Sequence, residues 1–143
     1  MQVRELMTAD VDVVRPDDTI RDAAMRMRSL DVGAIPVCDG ERLAGMLTDR
    51  DITIRAVAES RDPAGTPVRD VMTPDIVFVL EDQDIDEAAR LMEERQVRRL
   101  PVLNSQKRLV GIVSLGDLAV GTRDTERVGH TLEEVSAPAE PKR

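Results

Sequence analysis

An α+β fold made of two repeats, each in the order βαββα, is predicted by three observations. The chain resembles itself at a fixed offset, each copy carries one helical stripe of small and apolar residues among short strand-like runs, and each copy ends at the same strand-to-helix corner. Val3, Arg4, Met7, Thr8, Asp10 and Val14 recur as Val68, Arg69, Met72, Thr73, Asp75 and Val79, an offset of 65. Ile20, Ala23, Ala24, Met27, Val32, Pro36 and Val37 recur at the same offset as Ile85, Ala88, Ala89, Met92, Val97, Pro101 and Val102. One extra residue in the turn Asn104–Lys107 lengthens the offset to 66, which carries Gly45, Thr48 and Asp51 onto Gly111, Ser114 and Asp117. The repeats are expected at residues 3–62 and 68–122, joined by a linker rich in Pro and Gly, with a flexible tail over 123–143 in which Thr131 to Val135 can form a turn of helix.

Within a repeat the elements follow from period and punctuation. Val11 to Val14 is a short apolar run of strand type, and Arg15-Pro16-Asp17-Asp18 breaks it before a helix. Ile20, Ala23, Ala24, Met27 and Leu30 share one face of that helix, as do Ile85, Ala88, Ala89 and Met92 in the second copy. Ala34 to Cys38, the turn Asp39-Gly40 and Arg42 to Leu47 predict a hairpin, matched by Leu100 to Leu103 and Arg108 to Val113. Pro36 and Pro101 mark an edge or a strand start, since proline offers no ladder donor and leaves neighbouring backbone groups available. A second helix is expected from Asp49 to about Glu59, with apolar residues spread around much of its surface.

The corner itself is Gly45-Met46-Leu47-Thr48-Asp49-Arg50-Asp51, and again Gly111-Ile112-Val113-Ser114-Leu115-Gly116-Asp117. An apolar strand runs into a Ser or Thr able to cap a helix, and an Asp follows three residues later. Backbone N–H groups there favour an anion, while the Asp can accept hydrogen bonds from a sugar diol. That combination suits a nucleotide, and its duplication in equivalent places weighs against an ordinary helix start.

Composition narrows the function classes. With 41% hydrophobic and 34% charged residues over 143 positions, the chain is globular. It lacks a membrane-length apolar run or a signal-peptide pattern, and a cytoplasmic location is expected. One cysteine, Cys38, and one histidine, His130, speak against a metal cluster or a catalytic triad. A net charge of −8 and a single aromatic residue, Phe78, make nucleic acid a poor partner. No obligatory cofactor is expected.

Met-Thr, then an apolar residue with Pro-Val, then the glycine corner ending in Asp, twice in about sixty-five residues, resembles a pair of CBS domains such as the small stand-alone pairs of bacteria. The resemblance covers nearly all of Val3 to Gly121. It implies two repeats packed by their sheets about a pseudo-two-fold axis, with two clefts that each draw on both repeats. One cleft would join Ser114 and Asp117 to Thr8 through Val11 and to Gly33, Ala34 and Ile35. The other would join Thr48 and Asp51 to Thr73 through Ile76 and to Arg98, Arg99 and Leu100. Basic residues just before the proline contact phosphates in related sensors; here they are Arg98 and Arg99 in repeat 2 but Gly33 and Ala34 in repeat 1, so the clefts are expected to differ. The cleft at Ser114 would then be the better phosphate site, and the one at Thr48 would have to borrow its arginine.

The reading that follows is a non-enzymatic regulatory module whose ligand contains adenosine, such as AMP, ADP, ATP, NAD or S-adenosylmethionine. The alternative is a dimeric interaction module with empty clefts that acts through a partner protein. A homodimer is expected through helix 49–59, helix 18–30 and their repeat-2 counterparts, whose apolar surface exceeds what one small sheet covers.

Overall fold

The first strand of each repeat pairs within a compact unit dominated by the other repeat. In the computed structural model, which describes residues 1–138, β1 (Thr8–Ala9) is followed by α1 (Ile20–Leu30), β2 (Ala34–Asp39), β3 (Arg42–Thr48) and α2 (Asp49–Ile52). Then come β4 (Thr73–Pro74), β5 (Val79–Leu80), α3 (Ile85–Arg95), β6 (Arg99–Leu103), β7 (Leu109–Ser114), α4 (Leu115–Gly121) and α5 (Thr125–Ser136). One compact unit is continuous, Asp12–Ile76; the other is composite, combining Met1–Val11 with the chain from Val77 onward.

In the continuous unit the sheet order is β2-β3-β4, all antiparallel, with Ala34 opposite Thr48, Pro36 opposite Met46 and Thr73 opposite Met46 on the other side. The strand expected over Val11–Val14 is reduced to one parallel bridge, Val14 to Val37. Its growth stops because the Arg15 amide turns back to the Asp18 carboxylate at 2.8 Å and Pro16 supplies no donor. In the composite unit the order is β1-β7-β6-β5, with Thr8 opposite Ile112 and Arg99 opposite Ser114. A bulge at Val37/Cys38 recurs at Val102/Leu103.

The corner glycines exist for this strand exchange. A Cβ on Gly45 would stand 2.5 Å from the Thr73 carbonyl oxygen, and one on Gly111 would stand 2.6 Å from that of Thr8. Any side chain would push the short Met-Thr strand off its neighbour.

The helices form where the stripes place them. Thr19 caps α1 by accepting the Asp22 amide at 3.1 Å, and Asp84 caps α3 by accepting the Asp86 amide at 2.9 Å. Both helices end on a left-handed residue, Asp31 and Gln96. Ile20, Ala23 and Met27 enter a core with Val14, Ile35, Val37, Leu47 and Val68; Ala88, Ala89 and Met92 enter another with Val3, Leu100, Val102 and Val113. Val3 and Val68 thus lie in the core of the opposite repeat's sheet, fixed by amide bonds from Val3 to the Gln83 carbonyl and from Val68 to the Asp18 carbonyl.

Two expectations need correction. The helix expected from Asp49 to about Glu59 is α-helical only through Ile52 and continues as a π turn over Thr53–Val57. The region expected as a flexible tail contains α5, a twelve-residue helix that packs against α3. Its central anchor is a threonine, Thr131, which is fully buried because its hydroxyl donates to Glu93 at 2.7 Å. A polar residue in that role breaks the apolar period, and its partner lies 38 residues away. The last five residues of the expected tail, 139–143, lie outside the described residues.

Candidate functional site

Each corner is closed by a reciprocal pair of hydrogen bonds. In the continuous unit the Asp51 amide donates to Thr48 Oγ1 at 3.0 Å, and the Thr48 amide donates to Asp51 Oδ2 at 3.0 Å. In the composite unit the Asp117 amide donates to Ser114 Oγ at 3.0 Å, and the Ser114 amide donates to Asp117 Oδ2 at 2.8 Å. Such a box commits one oxygen of each carboxylate to the backbone and leaves the other for a second partner.

The two second oxygens meet different surroundings. Asp51 Oδ1 stands 3.7 Å from Arg55 Nη1, which also donates to the Val71 and Met72 carbonyls, each at 3.0 Å, and to Thr73 Oγ1 at 3.2 Å. Among the described residues Asp117 Oδ1 has no such cation, and the position matching Arg55 is Gly121. The Thr48 corner thus has an arginine of its own beside its carboxylate. Sequence reading passed over Arg55, although its i+4 spacing from Asp51 and its replacement by glycine in the other repeat were visible there.

The structure sorts the remaining candidates by unit. Thr8 adjoins the Ser114 corner through β1 and β7, and Thr73 adjoins the Thr48 corner through β3 and β4. Ala34 lies directly across from Thr48, and Arg99 directly across from Ser114. Pairing Ser114 with Gly33 through Ile35, or Thr48 with Arg98 through Leu100, joins residues of different units. Ile35 and Leu100 are 1% exposed and belong to the cores, so only their backbones can face a ligand. Arg98 donates to Ser136 Oγ on α5 at 3.3 Å, and its carbonyl accepts the Leu115 amide at 2.8 Å.

Asp10 and Asp75, each just after a Met-Thr strand, have φ of 53° and 52°. Aspartate tolerates this left-handed conformation better than most residues.

Two hollows lie away from these residues. One, of about 220 Å³, is lined by Ile85, Ala89, Leu118, Arg127 and Thr131 among others; a second, of about 530 Å³, runs along α1 past Asp18, Asp22, Met25 and Leu30. Among the described residues no three His, Cys, Asp or Glu side chains gather in a way that could hold a metal ion. Burial pushes the Cys38 thiol up to about 11, which keeps it protonated and unreactive at neutral pH. No helix among the described residues is long and apolar enough to cross a membrane.

Comparison with known proteins agrees with this architecture. The CBS domain model matches residues 3–57 and 68–120. CBS domain-containing protein YhcV of Bacillus subtilis is 45% identical over 94% of this chain and 94% of its own. The crystal structure of Hypoxic Response Protein I, with two coordinated zinc ions, superposes with a TM-score of 0.79 at 41% identity, covering 85% of this chain and 99% of that one. CBSX2 in complex with AMP superposes with a TM-score of 0.73 at 28% identity, covering 84% of this chain and 94% of that one.

Proposed function

This chain belongs to the CBS-domain family, and we propose that it serves as a sensor whose ligand is an adenosine compound bound at the two corners. The family is regulatory rather than catalytic. The observation that carries the proposal is the pair of capping boxes, each leaving one carboxylate oxygen outside the box at the end of a strand that pairs with a Met-Thr strand. A diol needs acceptors of that kind, and the AMP complex of CBSX2 shows that a protein of similar fold binds an adenosine nucleotide. In this proposal Ser114 and Asp117 work with Thr8 through Val11, while Thr48 and Asp51 work with Thr73 through Ile76. Ligand binding would act by favouring one of two shapes of a homodimer or of a surface offered to a protein partner.

The zinc ions of Hypoxic Response Protein I are not part of the proposal, since no suitable donor set gathers among the described residues.

The test uses the absence of Trp and Tyr. The protein absorbs weakly near 280 nm, so adenine carried through purification dominates the spectrum at 260 nm. A panel of adenosine, AMP, ADP, ATP, NAD and S-adenosylmethionine should then contain a compound that raises the melting temperature as its concentration passes the dissociation constant. A clean spectrum together with no thermal shift sinks the sensor reading.

A second reading, a ligand-free dimeric module acting through a partner, draws on a different observation. The continuous unit exposes Met25, Leu30, Val32, Ile54 and Val57, from 40% to 66%. A homodimer seam on this face would cover them.

A further inference from the structure

The geometry points to Arg55 as an anion-binding side chain that suits the repeat-1 corner, and not the repeat-2 corner, to the phosphate of its ligand. This inference rests on the corner being the ligand site and adds which chemical group the corner grips. Arg55 Nη1 is anchored by the Val71 and Met72 carbonyls and by Thr73 Oγ1, so the guanidinium is held in place before any ligand arrives. Its Nη2 and Nε have no acceptor among the described residues, and its side chain is 46% exposed. Two donors on one edge of a planar, permanently charged group match two oxygens of a phosphate. Because the side chain is already ordered, little rotamer freedom is lost when the anion binds.

The neighbouring charges favour the same assignment. Asp51 would repel an anion, but one of its oxygens accepts the Thr48 amide and the other faces Arg55 at 3.7 Å. Among the described residues Asp117 has no equivalent cation beside it, so its corner suits an uncharged diol better than a phosphate. Repeat 2 holds a different arrangement: its matching position is Gly121, where a Cβ would meet Leu6 Cδ2, so any side chain there requires Leu6 to move. The backbone differs too, with a π turn over Thr53–Val57 where α4 remains α-helical to Gly121. Local π geometry is often found at functional sites. The competing role for Arg55 is a clamp that ties the Met72–Thr73 strand to the π turn and touches no ligand.

Titrations of the full chain, labelled with nitrogen-15, with adenosine, AMP and pyrophosphate separate these roles. The amides of Thr48 and Thr73 report the repeat-1 corner; those of Ser114 and Thr8 report the repeat-2 corner. AMP is expected to bind at the Thr48 and Thr73 reporters, and Arg55→Ala to weaken it there about ten- to a hundredfold, while adenosine changes less than about twofold. Arg55→Lys, which keeps the charge and loses the fork, should fall between the two. AMP affinity unchanged in both folded variants, or adenosine and AMP weakened by the same factor, overturns the assignment and leaves Arg55 as a clamp. If neither adenosine nor AMP moves any reporter, but pyrophosphate shifts Thr73 in the parent and not in Arg55→Ala, the adenosine proposal fails and the anion site stands. If pyrophosphate also leaves Thr73 unmoved, Arg55 is no anion site.

Discussion

Thr131 on α5 donates its hydroxyl to Glu93 on α3 at 2.7 Å, joining the C-terminal helix to the second repeat through a fully buried polar contact. The same Glu93 carboxylate lies 3.4 Å from Arg127, one turn earlier on α5. α5 is therefore fastened by charge as well as by Val128 and Val135.

Thr131→Val keeps the shape of that side chain and removes the donor. A hydrogen bond to a charged, mostly buried acceptor contributes about 1.5–3 kcal/mol, so α5 should loosen by an amount in that range. Amide exchange over Thr125–Ser136 should accelerate by about ten- to a hundredfold while the amides of β6 and β7 keep their protection.

Asp117→Ala removes the acceptor for the Ser114 amide and the proposed acceptor for a sugar diol. Loss of the cap should cost about 1 kcal/mol in denaturant unfolding. Adenosine and AMP should weaken at that corner by the same factor, because they share the ribose. Calorimetry showing adenosine affinity unchanged in the folded variant would remove Asp117 as the acceptor for the diol.

The seam proposed for the homodimer is tested by two substitutions with opposite expected outcomes. Val57 is 66% exposed, whereas Ile52 packs against the core of the continuous unit. Val57→Glu should leave the circular dichroism spectrum intact and shift sedimentation to the monomer. Ile52→Glu should lower the melting temperature, since it buries a charge without a partner. A parent protein that sediments as a monomer at tens of micromolar removes the seam altogether.

Cys38 sets a pH dependence of known sign. Its thiol is raised to about 11 by burial, whereas an exposed thiol ionises near 8.5. Above that lower value the unfolded chain loses its proton first, so the native state loses stability as pH climbs from about 8.5 toward 11. Cys38→Ala should flatten this part of the stability profile, measured by urea unfolding at pH 8 and pH 10.5.

How far the sequence could be read depended on where each signal lay. Ile20, Ala23 and Met27 announced α1 because the residues that bury it recur at helical spacing along one segment. Thr48 with Asp51, and Ser114 with Asp117, announced the corners because a capping box is local chemistry. Arg55 went unread because its role comes from carbonyls at Val71 and Met72, which the fold brings to it from beyond the linker. α5 was legible only as a turn of helix over Thr131–Val135 for the same reason, its anchor being a threonine matched to a glutamate on another helix. Periodicity detects burial by apolar residues and is blind to burial completed by a distant polar partner.

The exchanged first strands bear on how this gene arose. A protein encoded by one repeat alone would carry a leading strand with no berth in its own sheet and a glycine edge awaiting someone else's. Two such chains would satisfy each other by trading strands, and fusing them head to tail converts a trade between molecules into one within a single chain. Copies joined in one chain need not stay identical: one sets an arginine beside its carboxylate, while in the other Leu6 packs against Gly121. Cutting the chain within the 61–67 linker would strand β4 away from β3, whereas the segment from Asp12 to Ile76 retains every strand of its sheet.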